Sequence, residues 1–386
     1  MPFYKKMGNV PQKRHTVFNK DDGSLYSEQL IASDQPLTPA SLTYHLYPPT
    51  IVSDLNKPIP IAPVIAEDKN LQHRSFVGFN VKPIDDYLDS RKIILVNEDL
   101  YISLAAPRKS MTDYFYKNSM ADELIFVHHG SGVLKTMFGD IKFKSGDHLI
   151  IPKSTTYQIH FNDSNNRLYI VESFSTIKVP DKYLTQLGQI NEHSPYCERD
   201  IRTPELQKPI DKEGNFLIKI KKHDQLYPFF YAYHPFDVVG WDGYHYPFAF
   251  SVHEFEPITG SIHQPSPIHQ TFEGKNFFTC AFVPRLFDYH PDSIPAPYNH
   301  MNIDSDEVIY YVDGNFMSRK NIKEGHITLH PFGIPHGPHP GLVEKSIGKE
   351  DTQELAILVN TYNPVSLTEE ALNIEVKDYL YTWIDQ

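Results

Sequence analysis

The sequence predicts an all-β protein with few short helices. Its 31 prolines and 19 glycines are spread between short runs rich in Val, Ile, Tyr and Phe, which is typical of many short strands joined by turns. In residues 123–161, glycines divide the chain into short apolar segments of strand length. The best helical candidates are residues 181–190 and the segment that begins at Leu367. Strands are therefore expected to form the core.

Composition limits the classes of function. A chain of 386 residues with 40% hydrophobic and 22% charged residues is long enough for two folded domains. The net charge of -12 argues against nucleic acid or an anionic membrane surface as partner. The two cysteines form no C-x-x-C pair, and we find neither a long apolar run nor a secretory signal. These features predict a cytoplasmic protein that acts on a small molecule.

One pattern of strands occurs twice, in residues 123–161 and again in residues 307–339. Each copy has a glutamate, an apolar strand, a glycine turn, and a later apolar strand that ends in proline. The copies align Glu123 with Glu307, Gly146 with Gly325, and Pro152 with Pro331 or Pro335. A repeat of this length predicts two jelly-roll-like β-barrel domains, the arrangement called a bicupin. The alternative is a pair of unrelated antiparallel meanders, which would share glycine turns and alternation.

The second copy contains a candidate set of metal ligands. His300 precedes Glu307 by seven residues at the start of a strand, and His336 lies in the later segment "HPFGIPHGPH". Non-haem Fe(II) sites use two imidazoles and one carboxylate and leave other positions open. A lone histidine among the 20 in the chain is more often structural. The three residues together, with Asn302 near the place of a cupin's second histidine, favour a metal site, and the absence of a Cys or third His favours iron over zinc.

The first copy lacks this set, because no histidine precedes Glu123 closely and only His160 follows in the matching region. We therefore expect residues 1–185 to form an N-terminal β domain with a metal-free cupin-like barrel. Residues 186–216 are polar and contain prolines, and they are the expected linker. Residues 217–386 are the expected C-terminal cupin domain with the iron site.

Several motifs carry a resemblance to a known family. "GNVPQKRHTVF", "YHPFDVVGWDGYHYPFAF", "PYNHMN" and "LHPFGIPHGPHPG" resemble homogentisate 1,2-dioxygenases of the cupin superfamily, and the similarity runs over most of the chain. The resemblance implies an Fe(II) enzyme that opens the ring of homogentisate with O2 to give maleylacetoacetate, in the catabolism of tyrosine and phenylalanine. It also implies a homo-oligomer, a trimer or a hexamer.

Carried over residue by residue, the resemblance places the iron ligands at His300, Glu307 and His336. It places His330 in the wall of the substrate pocket and the catalytic base at His263, in "SIHQPSPIHQTF", with His269 as a rival. The spacing from the first His to the Glu is one residue longer than in better-known members, and Phe316 replaces a tyrosine. The sequence is therefore interpreted as a divergent, bacterial-type member.

Two other interpretations stay open. One is another ring-cleaving dioxygenase, which acts on gentisate or a different hydroquinone. The other is a non-enzymatic metal-binding bicupin, in which His339 closes the metal site as a fourth protein ligand.

Overall fold

The computed structural model describes residues 3–33, 39–314, 316 and 318–384. Within these ranges the α-helices are short: α1 Tyr87–Ser90, α2 Leu342–Ser346 and α3 Glu369–Leu372. The helical candidate at 181–190 forms only a 3-10 turn at Asp181–Tyr183. No helix among the described residues has the length and apolar character that crossing a membrane requires.

Besides short 3-10 turns, strands make up the rest of the regular structure among the described residues. In chain order they are β1 Lys5–Gly8, β2 Ser27–Ile31, β3 Ser41–His45, β4 Val52–Leu55, β5 Ile59–Pro60, β6 Arg74–Val77, β7 Lys92–Val96, β8 Leu100–Ala105, β9 Phe115–Asn118, β10 Asp122–His129, β11 Gly132–Thr136, β12 Gly139–Phe143, β13 Asp147–Ile151, β14 Thr156–Phe161, β15 Arg167–Ser173, β16 Ile201–Arg202, β17 Glu213–Lys222, β18 Gln225–Tyr233, β19 Val238–Gly243, β20 Phe248–Ser251, β21 Gln270–Gly274, β22 Phe277–Phe282, β23 Arg285–Leu286, β24 Asp306–Asp313, β25 His326–His330, β26 Asp351–Thr352, β27 Leu355–Thr361 and β28 Ser366–Leu367. The prediction of an all-β protein with few short helices is confirmed.

Three large sheets build two barrels. The first barrel combines a sheet in the order β16-β20-β13-β10-β15-β8-β7-β28 with a sheet in the order β12-β11-β14-β9-β17-β18-β4. The second barrel is built on a sheet in the order β21-β22-β27-β24-β25-β6. Ile125 of β10 and Ile159 of β14 belong to one buried cluster, so the two sheets of the first barrel enclose a common core. This two-barrel arrangement is the predicted bicupin.

Strands β10 and β24 are buried on both faces, and this fixes where the candidate glutamate points. Phe126 of β10 and Tyr310 of β24 lie in the core cluster between the barrels. Ile309 and Tyr311 of β24 lie in a separate cluster inside the second barrel. Because side chains alternate along a strand, Glu307 shares the face of Ile309 and Tyr311 and points into the second barrel.

The register of the strands supports the predicted repeat. β10 pairs with β13 and β15, and β24 pairs in the same antiparallel way with β25 and β27. Glu123 and Glu307 each lie opposite the last residue before a proline, Pro152 or Pro331. Of the two prolines left open by the sequence, Pro331 is therefore the equivalent of Pro152.

A buried aspartate before each glutamate repeats as well. Each of its carboxylate oxygens accepts one hydrogen bond from a backbone N–H of a neighbouring loop. The donors are Lys153 and Ile177 for Asp122 (2.9 and 2.9 Å), and Phe332 and Val365 for Asp306 (3.0 and 2.9 Å). Two barrels that share so specific a pair of contacts are better explained as copies of one unit than as unrelated meanders.

In the first barrel, the glutamate that matches Glu307 is paired with a cationic side chain. Arg91 Nη1 lies 2.5 Å from Glu123 Oε1, and Arg91 Nη2 lies 3.1 Å from Glu172 Oε1. Lys221 Nζ lies 2.7 Å from both carboxylate oxygens of Glu172. These buried carboxylates therefore have guanidinium and ammonium partners. That this barrel holds no metal stays a prediction.

The pairing of strands does not follow the predicted division of the chain at 186–216. Strands β17 and β20, which were assigned to the C-terminal domain, pair with β9 and β13 of the first barrel. Near the N-terminus, β6 instead joins β25 of the second barrel. Polar composition marks an exposed segment, but the sheet that a following strand joins depends on long-range pairing that composition does not contain.

Candidate metal centre

Glu307 is the second residue of β24 and lies at the centre of a group of imidazoles. Its carboxylate oxygens are 2.9 Å from His330 Nδ1, 3.4 Å from His336 Nε2 and 3.8 Å from His300 Nε2. Burial of Glu307 opposes its ionisation, but the surrounding imidazoles outweigh burial and hold the pKa of this carboxyl well below its usual value. Glu307 is therefore an anionic oxygen donor at neutral pH.

His300 and His336 are brought together by their backbones. The N–H of each residue donates to the C=O of the other at 2.8 Å, and the two ring centroids are 4.3 Å apart. One ligand atom from each of His300, Glu307 and His336 lies within 4.8 Å of the other two. In the part of the chain that the structure describes, His336 Nε2 is buried and has no hydrogen-bond partner. A buried nitrogen without a partner, beside a carboxylate and a second imidazole, fits a metal ligand set of two His and one Glu.

His330 supports Glu307 from within the barrel. It lies directly opposite Glu307 in the β24–β25 register, is fully buried, and donates from Nδ1 to Glu307 Oε1 at 2.9 Å. Burial lowers the pKa of His330 well below its usual value, so the ring is neutral. His330 is not among the described residues that line the adjacent cavity. This differs from the predicted place in the pocket wall, because the strand register holds the ring beside the carboxylate.

Two further histidines lie behind the group. His73, just before β6, packs with ring centroids 5.3 Å from His330 and 5.6 Å from His336, and its Nε2 bonds Pro335 O at 3.1 Å. In His339, Nδ1 accepts from the Lys320 N–H at 2.7 Å and Nε2 bonds Thr382 Oγ1 at 2.9 Å. Both nitrogens of His339 are thus engaged away from the group, which does not favour the role of fourth ligand.

A cavity of about 410 Å³ opens in front of His300 and Glu307. It is larger than the cavity of about 100 Å³ between His45 of β3 and strands β9, β14 and β17 of the first barrel. The size suits a small organic ligand. The open face of the ligand group is therefore turned toward a space that can hold a substrate.

His263 and His269 both line this cavity. His263 packs edge to face on Tyr298 at 4.9 Å, and its Nδ1 is 4.0 Å from Asp288 Oδ2. Burial lowers the pKa of His263, and it lowers the pKa of His269 to about 3. Both imidazoles are neutral near pH 7. Sharing one cavity, they stay rivals for the role of base.

Sequence reasoning missed a cationic residue in the cavity wall. Arg319 is largely buried, and its Nη1 donates to the backbone oxygens of Gly337 and Ser318 at 2.5 and 3.2 Å. Its Nε has no hydrogen-bond partner among the described residues. A second guanidinium in the wall, Arg285, is paired with Glu354 at 3.1 Å. No motif marked these residues: Arg319 lies in the loop between β24 and β25 of the second copy, and Arg285 lies in the short strand β23 before that copy.

Known proteins show what the chain is similar to. A family model described as homogentisate 1,2-dioxygenase N-terminal matches residues 90–252. A relative named "Putative dioxygenase SSO1533" from Saccharolobus solfataricus is 41% identical over 385 residues, covering 99% of this chain and 99% of the relative. The chain belongs to the homogentisate 1,2-dioxygenase family. Membership confirms the resemblance that the motifs indicated, and it supports a dioxygenase activity.

Among solved structures, more distant similarity is found. A cupin 2 conserved barrel domain protein from Leptotrichia buccalis has a TM-score of 0.33 and 12% identity, with 81% of this chain and 100% of that chain covered. The protein Ylba from E. coli has a TM-score of 0.34 and 8% identity, with 78% and 93% covered. The two-barrel fold of this family member rests on its own strand pairing.

Proposed function

We propose that the protein is an Fe(II)-dependent ring-cleaving dioxygenase that converts homogentisate and O2 to maleylacetoacetate. The observation that carries the proposal is the group formed by His300, Glu307 and His336, whose ligand atoms lie within 4.8 Å of one another, with His300 and Glu307 in the wall of a cavity. His300, Glu307 and His336 would hold Fe(II) and would leave positions open for substrate and O2. If bound there, Fe(II) would supply one centre at which dioxygen and an aromatic diol can bind side by side.

The ligand group has support that favours a fixed geometry. The neutral ring of His330 donates to Glu307 Oε1 at 2.9 Å, which restrains one carboxylate oxygen. Such partners outside the ligand set orient the ligands and tune their basicity. We infer that His330 is a positioning residue for Glu307 and does not itself bind substrate.

The guanidinium of Arg319 in the cavity wall favours an acidic aromatic substrate. Among the residues that the structure describes, Arg319 donates to backbone oxygens and to no carboxylate, so no hydrogen-bonded acid in this part of the chain neutralises its charge. Homogentisate carries a carboxylate, and a buried guanidinium stabilises a bound anion. This favours homogentisate or gentisate over an uncharged hydroquinone.

The ring hydroxyl requires a proton acceptor. A phenol has a pKa of about 10, so binding as phenolate at neutral pH needs a nearby base. His263 is our candidate, because its ring is neutral, lines the cavity and has Asp288 nearby. The hydroxyl proton would move to the free nitrogen of His263. Both atoms of O2 then enter the product, so no external reductant is needed.

Oxygen uptake by protein loaded anaerobically with Fe(II) tests the proposal. The substrates are homogentisate, gentisate and unsubstituted hydroquinone at equal concentration. We expect the highest kcat/KM with homogentisate and one O2 consumed per ring opened. Preference for gentisate would keep the ring-cleaving class and change the substrate. No uptake with any of them, in protein that holds one iron per chain, would contradict the proposed activity.

A further inference from the structure

We propose that His128, His129 and Glu324 form a second binding site for a divalent transition-metal cation such as Zn²⁺, at the contact between the two barrels. The site is independent of the group around Glu307, and it does not depend on the proposed reaction. His128 and His129 end β10 of the first barrel, and Glu324 lies in the turn before β25 of the second. A cation held there would link the barrels.

Two consecutive strand residues normally point to opposite faces of a sheet. Here the register of β10 with β15 shifts between Val127 and His129. Such a bulge leaves one extra residue in the strand and redirects its side chain. The rings of His128 and His129 consequently lie on the same side, with centroids 4.4 Å apart. The backbone irregularity is what brings two imidazoles to one point.

Both imidazoles present the same nitrogen to one carboxylate. Nε2 of His128 and Nε2 of His129 lie 3.0 and 2.9 Å from Glu324 Oε1. One ligand atom from each residue lies within 4.8 Å of the other two. Two imidazoles and a carboxylate are a donor set that Zn²⁺ accepts, with a fourth position left for water. The exposed side chain of Glu324, at 47%, provides an entry path from solvent.

The surroundings of His128 suit a ligand. Its Nδ1 lies 2.6 Å from the Tyr310 hydroxyl. With a cation on Nε2, the ring proton resides on Nδ1 and is donated to the Tyr310 oxygen, the kind of contact that orients ligating histidines. Phe79 packs against both imidazoles at 5.2 and 5.5 Å and limits their movement.

Metal stoichiometry tests the proposal without any measurement of turnover. Full-length protein, freed of metal by a chelator, is dialysed against buffered Zn²⁺, and bound zinc per chain is measured by mass spectrometry. We expect two ions in the wild type, since the group around Glu307 takes one. The double variant His129→Ala/Glu324→Gln should bind one, and so should His300→Ala/His336→Ala. Combination of all four changes should leave none.

Thermal unfolding supplies a second readout and a control for folding. In the His300→Ala/His336→Ala background, Zn²⁺ should raise Tm, and addition of His129→Ala/Glu324→Gln should abolish that rise while the metal-free Tm changes little. His193→Ala, which removes an exposed histidine elsewhere, should change neither readout. A single zinc in the wild type, or two in His129→Ala/Glu324→Gln, would overturn the proposal.

Discussion

Replacement of His263 by alanine separates metal binding from proton transfer. His263 lines the cavity but is not in the ligand group, so the variant should keep its full complement of iron. Its side chain is 38% exposed, and a change at such a site should alter the free energy of unfolding by no more than about 0.5 kcal/mol. A large loss of activity would then reflect a slower chemical step, and not loss of iron or unfolding.

The size of the loss can be estimated. Removal of a general base costs roughly 10²–10⁴-fold in rate, or about 3–5 kcal/mol in activation free energy. The distance of 4.0 Å between His263 Nδ1 and Asp288 Oδ2 is longer than a hydrogen bond, so the ring is not rigidly oriented. We therefore expect the lower half of the range, a decrease in kcat of about 10²–10³-fold. KM should change much less, because proton transfer matters chiefly in the transition state.

Steady-state O2 uptake and iron content, measured on His263→Ala and on His269→Ala, decide the assignment. His269→Ala is the matched control, since it removes an imidazole from the same cavity, and it should retain most of the wild-type kcat. Added imidazole should restore part of the activity of His263→Ala, because the deletion leaves space in an open cavity. If His269→Ala alone loses rate, the base is His269; if neither does, the cavity histidines do not move the proton.

Three further predictions concern the ligands and the cores. Most bound iron should be lost from each of the variants His300→Ala, Glu307→Ala and His336→Ala, because two protein ligands hold the ion poorly. The circular dichroism of each variant should be unchanged. Full iron content in any one variant would exclude that residue as a ligand. Arg91→Met leaves the buried carboxylates of Glu123 and Glu172 without their guanidinium partner. The free energy of unfolding measured by urea titration should therefore fall by about 3–5 kcal/mol. An unchanged free energy would show that these ion pairs do not stabilise the fold. Burial lowers the pKa of His148 from 6.5 to about 3, so within that window the unfolded chain binds a proton that the folded chain does not. Stability should therefore fall as pH falls, by up to about 1.4 kcal/mol per unit, and His148→Phe should make urea midpoints between pH 4 and 6 less dependent on pH than in the wild type.

The sequence contained the repeated pattern and the residues that gather around Glu307. Alternation along β24 and the match with Glu123 were enough to place that glutamate at a strand start facing a barrel interior. His336 and His300 also follow from motifs, although their backbone pairing does not. These features can be predicted from the sequence because they depend on local periodicity and on short spacings within one copy.

Other features depend on contacts between distant parts of the chain. His73 reaches the group around Glu307 because β6 pairs with β25, and no spacing near His73 indicates this. Arg91 fills the first barrel's carboxylate site from the loop before β7. The positions of β17 and β20 in the first barrel likewise reflect pairing with distant partners, which alternation within a strand does not specify.

Single-turnover mass spectrometry with ¹⁸O₂ tests the proposed reaction most directly. Protein loaded anaerobically with Fe(II) is mixed with homogentisate and then with ¹⁸O₂, and the product is analysed at once. Ring cleavage by a dioxygenase predicts maleylacetoacetate that contains two ¹⁸O atoms, apart from exchange with water. Its amount should equal the iron content of the wild type minus that of His300→Ala/His336→Ala. Recovery of unchanged homogentisate would contradict the proposal. A product that contains one or no ¹⁸O atom, after correction for exchange measured in a control, would contradict it as well.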